Sequence, residues 1–327
     1  MVHPRDATKL VAILTAAFLG ALAFAQPAQA AWPGGNGKII FWKAVFDPTT
    51  GTPSSVQIYS MDERGHGQTN LSAAGGGGNQ FDIQPSVSPN GHRIVFTRVD
   101  PNLAGQIWTM RIDGTDQTNI SNDAATASES NPSWSEDGKD VLFVRRAAGT
   151  PVLGTPGSIW IRKADGHGQA RQLTSGPDAN PAMSPDGDLI AFTRFAQDGP
   201  PSIFVMKADG SEPPHVLVKG AKPDWSPDSR RIVYGQGGTG PIMVVKLSDP
   251  THPAQLAGPG NEAPAWSPDG KQIVFLHCSG PLACQVAVMT ANGQDPHDIT
   301  SERNDQGVTD QKPDWQPVHG EGGGQAD

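Results

Sequence analysis

The sequence predicts an all-β fold: a six-bladed β-propeller of four-stranded antiparallel blades. Three observations predict it. A motif recurs with a period in the forties, each period carries four short strand signals, and the two ends of the chain each supply part of one further blade. The motif is PAWSPDGKQIVF at Pro264, with copies PSVSPNGHRIVF at Pro85, PSWSEDGKDVLF at Pro132, PAMSPDGDLIAF at Pro181 and PDWSPDSRRIVY at Pro223. A clipped copy, PDWQP, starts at Pro313, and the spacings are 47, 49, 42, 41 and 49 residues. A period of this length that contains several strands marks a radial repeat.

Within each copy a short apolar piece ends in Ser and meets Pro-Asp-Gly or a close variant, residues that preset or tolerate turn dihedrals. A β-branched run follows, such as Arg93-Ile94-Val95-Phe96 or Gln272-Ile273-Val274-Phe275, and reads as the second strand. After a loop of variable length comes a third strand, as in Gln106–Met110, Ser158–Ile161 or Ser202–Met206. It ends at Asp113-Gly114, Asp165-Gly166, Asp209-Gly210 or Asn292-Gly293, the strongest short hairpin signal. A last short strand carries Asn119-Ile120-Ser121, Gln172-Leu173-Thr174 or Asp298-Ile299-Thr300.

Five units are complete. The segment from Gly37 to Ser72 supplies the second, third and fourth strands of a blade and lacks a first. Pro313-Asp314-Trp315-Gln316 is a first strand without followers. Joined, the two make the sixth blade, which closes the ring and removes open sheet edges. The predicted propeller covers residues 31–317, and the Gly-rich run 318–327 reads as a disordered tail.

The ordered recurrence of Pro-x-Trp-Ser-Pro-Asp-Gly-x-x-Ile-x-Phe, Ile-Tyr/Trp-x-Met, Asp-Gly and Leu-Thr resembles the TolB-type, WD-repeat-like propellers of bacterial periplasmic proteins, from about Gly37 to Pro317. The resemblance implies the fold and an exported protein that meets protein or cell-envelope partners. TolB itself carries an α/β domain before its propeller; here the propeller begins almost at once, so a propeller-only relative is expected.

Ahead of the propeller, Arg5 and Lys9 precede an apolar run from Leu10 to Phe24, followed by Ala28-Gln29-Ala30. That layout predicts a secretory signal peptide over residues 1–30, cleaved after Ala30, and a periplasmic or secreted protein. The run is too short for a membrane span. The full chain carries a formal charge of −9, and the leader contributes +1 from Arg5 and Lys9 against Asp6, leaving about −10. An acidic surface repels phosphate backbones, and no basic patch offers itself to anionic lipid, so neither nucleic acid nor a membrane is an expected partner. The 39 Gly and 30 Pro sit at periodic turns, which makes the composition that of a turn-rich β protein. Cys278 and Cys284 end the second strand and begin the third strand of the last full unit, so they are placed to form a disulfide, which an exported setting permits.

Strand alternation puts the tight first-to-second and third-to-fourth turns on one face. The long second-to-third loops and the blade crossovers fall on the other, where binding on a rigid ring is expected. The residues just before each first-strand Pro should ring the channel mouth on that loop face: Gln84, Asn131, Asn180, Lys222 and Lys312, with Ala263 at the sixth place. These five polar or basic residues are the candidate small-ligand site; the plainer reading is that a channel mouth is simply wet and polar.

Motifs for chemistry are missing from the pattern. There is no Gly-x-Ser-x-Gly elbow, no His-x-x-x-His pair and no calcium loop, so no catalytic residue, metal or cofactor is predicted. His66 and His167 fall in hairpin turns, and Asp186, Asp228 and Asp269 are turn formers. Trp134, Trp225, Trp266 and Trp315 share one repeat position, and Met61, Met110, Met206 and Met289 another; both read as core. The expected function is a monomeric, non-catalytic scaffold that holds a protein or envelope component on its loop face. The alternatives are a lactonase- or lyase-like propeller enzyme and a small-ligand or glycan binder at the channel mouth.

Overall fold

The computed structural model describes residues 31–319 apart from 48, 51–52, 74–79, 102–103, 122–126, 153–154, 281–282 and 302–307. The expected leader lies outside the described residues, as does the expected tail beyond His319.

The sheet order follows the repeat. The first blade contains β1 (Gly35–Phe46), β2 (Pro53–Met61) and β3 (Thr69–Asn70). Blade 2 holds β4 (Phe81–Val87), β5 (Arg93–Val99), β6 (Gly105–Arg111) and β7 (Thr118–Asn119). Blade 3 holds β8 (Ala127–Trp134), β9 (Asp140–Ala147), β10 (Ser158–Lys163) and β11 (Arg171–Gln172). Blade 4 holds β12 (Asp178–Met183), β13 (Leu189–Arg194), β14 (Ser202–Lys207) and β15 (His215–Lys219). Blade 5 holds β16 (Ala221–Trp225), β17 (Arg231–Gly235), β18 (Ile242–Lys246) and β19 (Asp249–Ala257). Blade 6 holds β20 (Asn261–Trp266), β21 (Gln272–Gly280), β22 (Ala283–Thr290) and β23 (His297–Asp298). The last strand, β24 (Val308–Val318), pairs with β1 and gives the first blade the order β24-β1-β2-β3. The structure is thus a six-bladed, all-strand propeller closed by its C-terminal strand. That strand runs to Val318, opposite Gly35, so the ring ends one residue beyond the expected edge.

The tight turns follow from local hydrogen bonding. In each complete unit a Ser hydroxyl and a carboxylate or carboxamide two residues on form the turn: Ser88 with Asn90, Ser135 with Asp137, Ser184 with Asp186, Ser226 with Asp228 and Ser267 with Asp269. The following Gly91, Gly138, Gly187 and Gly270 have φ of 74, 69, 76 and 70°, where a side chain is strained; blade 5 puts Ser229 there instead. Asp186, Asp228 and Asp269 are therefore spent on turns. His66 and His167 stand exposed in their hairpins beside Asp62 and Asp165.

The core lies between blades. Trp225, Trp266 and Trp315 are buried, as are Phe41, Phe96, Phe143 and Phe192 in the second strands and Met61, Met110, Met206 and Met289 in the third. Successive inner strands also hook together in two ways. The Trp134 indole donates to Ser86 O and that of Trp225 to Ala182 O, each at 3.1 Å. In the other form a carboxylate of one blade accepts an amide of the next: Asp224 from Trp266 N (2.7 Å) and Asp314 from Val87 N (2.8 Å). Ahead of β1, Ala31 N donates to Trp225 O and Gly34 N to Pro268 O, so this segment crosses from the first blade over blades 6 and 5. Trp32 is buried in the cluster that includes Trp134, Ala182 and Trp225.

The hairpin carboxylates contribute to the acid sensitivity of the fold. The Thr115 hydroxyl and amide hold Asp113 below its usual value of 3.8; the His66 amide does the same for Asp62, and Ser211 for Asp209. A carboxylate depressed in the folded state stabilises fully above the unfolded value and stops doing so as pH falls through the folded one. The urea midpoint is therefore expected to drop as pH is lowered below about 3.8. NMR titration should find these three groups depressed, and an unchanged midpoint down to pH 2.5 would refute the account.

Candidate functional site

The channel wall departs from the sequence-based picture in one respect. The first strands were expected to begin at the repeated Pro. Instead they begin two to five residues earlier, and the Pro sits inside the strand. It is tolerated because the inner strand is the edge of each blade, where no ladder N–H is needed on the open side. The residue before it takes a left-handed conformation: φ is 57° at Gln84, 55° at Asn131, 55° at Asn180, 59° at Lys222, 50° at Ala263 and 42° at Lys312. Each marks a break in register with the second strand in blades 2 to 6, a β-bulge repeated around the ring. Gln84, Asn131, Asn180, Lys222 and Lys312 are consequently buried in the wall rather than set around an open mouth.

At this level the side chains tie blade to blade. Gln84 Oε1 accepts from the Asn131 amide and from the Thr97 hydroxyl, both at 3.0 Å. The Lys222 amide donates to Thr193 Oγ1, and the Lys222 ammonium is ion-paired with Glu262 of the next blade. The Lys312 ammonium donates to Pro85 O at 2.6 Å. Burial pushes the Lys312 ammonium down and the Asp314 carboxyl up, each to about 7, so this pair is drawn towards its uncharged form.

Two residues before the bulge, towards the loop face, lies a second ring that sequence reading missed. Asp82, Glu129 and Asp178 each meet an arginine sixteen residues later on the adjacent strand. Asp82 and Arg98 form a two-pronged pair at 2.7 and 2.8 Å, and Asp178 with Arg194 another at 2.6 and 2.8 Å. Glu129 takes Arg145 at 2.6 Å and Arg162 at 3.0 Å, and also accepts the Ser121 hydroxyl. In the first blade Lys43 and Asp310 face each other at 3.9 Å. The cations lie over aromatic rings of the second and third strands: Arg98 over Trp108 and Arg145 over Trp160, each at 4.4 Å, Arg194 over Phe204 at 4.8 Å and Lys43 over Tyr59 at 5.2 Å. The Asp178 carboxylate raises the Arg194 guanidinium above its ordinary value.

The ring is broken at blades 5 and 6. Gly220 and Gln236 stand at the matching places in blade 5, and Asn261 and His277 in blade 6. Without an acid beneath it, His277 turns outward to Asp298 at 2.9 Å. It lines a groove of about 410 Å³ with Leu256, Phe275, Asn261 and His297. A second groove, of about 540 Å³, opens between blades 2 and 3 at the tight-turn face, lined by Arg93, Trp134 and Lys163 among others. Cys278 and Cys284 face each other across β21 and β22 and form a disulfide. Glu262 lies beside them, but with both sulfurs in the bridge no thiolate remains to complete a metal site.

A family model described as the TolB beta propeller domain matches residues 154–319. The chain belongs to that family. Relatives share parts of this TolB-type propeller. The "Uncharacterized peptidase YuxL" of Bacillus subtilis (strain 168) is 26% identical over 221 residues, 66% of this chain and 31% of that protein. The "Tol-Pal system protein TolB" of Alcanivorax borkumensis is 35% identical over 82 residues, 24% of this chain and 19% of that protein. The chain thus spans a third or less of the curated relatives it matches. The crystal structure of TolB from Acinetobacter baumannii superposes with a TM-score of 0.66 at 19% identity, covering 86% of this chain and 67% of that one. This last likeness is one of fold.

Proposed function

We propose that this TolB-type propeller is an exported, non-catalytic scaffold that holds a protein or cell-envelope component on its long-loop face. The observation that carries the proposal is the fate of the charged groups around the channel. Asp82, Glu129, Asp178, Lys222 and Glu262 are buried and engaged with partners inside the ring, which stiffens the blades rather than presenting reactive groups. A rigid ring with loops of unequal length on one face is suited to docking. The disulfide accords with an oxidising compartment. One relative is named as part of the Tol-Pal system, which fits a partner in the envelope. No helix among the described residues is long and apolar enough to cross a membrane.

The test places a photo-crosslinking residue at Ala148 or Asp198 on the loop face and, for contrast, at His167 or Asp209 on the tight-turn face, all of them exposed. Irradiation in envelope extract is expected to trap one discrete species from the loop-face positions and none from the other two. Equal capture from both faces, or none from the loop face, would overturn the reading.

A further inference from the structure

Arg146 stands apart from the arginines of the ion-pair ring. Arg98, Arg145, Arg162, Arg194 and Lys222 each meet a carboxylate. Arg146, only 6% exposed, meets none among the described residues. Its Nε donates to Thr155 O and its Nη1 to Ser130 Oγ at 2.7 Å, while its Nη2 is buried with no acceptor. Burial lowers the guanidinium to about 9 with no acid opposing it.

The unmet donors continue from there. Ser130 Oγ donates to Asn131 Oδ1 at 3.3 Å, and the Asn131 Nδ2 amide is buried without an acceptor. The Asn131 backbone N–H donates to Gln84 Oε1. Because a backbone N–H can only donate, that bond fixes which end of the Gln84 carboxamide is oxygen. The other end, Nε2, is then a third buried donor without an acceptor. Among the described residues, Arg146, Ser130, Asn131 and Gln84 thus form one hydrogen-bonded chain with three spare N–H groups and one positive charge that meets no carboxylate. Folded proteins leave few such groups unmet, and a buried charge demands a counter-charge more strongly than a buried amide demands an acceptor. Water satisfies the donors but not the charge.

We propose that this part of the channel wall holds a small monovalent anion, the size of a halide or formate, against Arg146 Nη2 and the Asn131 carboxamide, with Gln84 continuing the row of donors. The proposal does not rest on the loop-face docking reading, although Arg146 is tied to the β9–β10 loop of that face through Thr155 O.

Crystals soaked in sodium bromide should show anomalous density within hydrogen-bonding reach of Arg146 Nη2. At constant ionic strength the melting temperature should be several degrees higher in sodium bromide or formate than in sodium gluconate, whose anion is too bulky to enter, since a ligand that binds only the folded state stabilises it. Asn131→Asp keeps a residue tolerant of positive φ and supplies a carboxylate of its own, so this variant should fold and lose the salt preference. Arg146→Met should lose it too. No bromide peak together with equal melting in all three salts means bound water alone and overturns the proposal. A peak without any melting preference means an adventitious ion only, and overturns it equally.

Discussion

Deleting residues 308–327 is expected to open or aggregate the ring, while deleting only 320–327 leaves the melting temperature nearly unchanged. The longer deletion removes β24, which pairs with β1 from Gly35 to Val45. It takes away buried Trp315, a loss of about 3–5 kcal/mol by analogy with large-aromatic truncations in cores. The Lys312 bond to Pro85 and the Asp314 hook on Val87 go with it, unfastening the first blade from blade 2. Against a total stability of about 5–15 kcal/mol these losses are decisive. The bared edge of β1 carries Ile39, Ile40 and Phe41 and invites pairing with other molecules. Thermal melts and light scattering on both truncations check this. Equal melting with both proteins monomeric would show that β24 does not close the ring.

Replacing Glu129 by Ala should be the most damaging single substitution in the ion-pair ring, at about 3–5 kcal/mol. The reason is what it leaves behind. Arg145 and Arg162 both rely on Glu129, and both are held in place, one over Trp160 and the other with its guanidinium on Ile120 O. Removing the acid takes from the buried Arg162 and the part-buried Arg145 the carboxylate they share. The surface pair Arg93–Asp116, 3.0 Å apart but half exposed, provides the contrast: Asp116→Ala should cost about 0–1 kcal/mol. Urea unfolding of the two variants decides the matter. Similar midpoints would mean that the buried ring contributes no more than a surface contact.

Much of this architecture was legible because the signals are local. Pro-Asp-Gly, Asp-Gly and the Trp and Met positions each report a turn or a packing site within a few residues, and they recur in register. Cys278 and Cys284 were readable because a short hairpin separates them. The left-handed residue before each Pro was not, since a Pro restricts its neighbour towards extended conformations and suggested that the strand starts there. With the strand begun earlier, Gln84, Asn131, Asn180, Lys222 and Lys312 moved from a mouth into the wall. The ion-pair ring was hidden for a different reason. Its partners are sixteen residues apart on neighbouring strands, and only the register brings them together. The spacing itself was a usable signal: Asp82 and Arg98, Glu129 and Arg145, and Asp178 and Arg194 repeat it without variation.

The antiparallel seam between β1 and β24 also determines how the ring yields to force. Gly35 lies opposite Val318, so the two chain directions leave the seam side by side at the same end. A load applied between them does not shear the ladder, which would strain all its hydrogen bonds at once. It peels the strands apart from that end, one bond pair after another. The first resistance comes from the bonds of Ala31 to Trp225 and Gly34 to Pro268, which anchor the leading segment on blades 5 and 6. The propeller is therefore weak along its own closure when pulled from that end, like a belt whose strength depends on the direction in which the buckle is pulled.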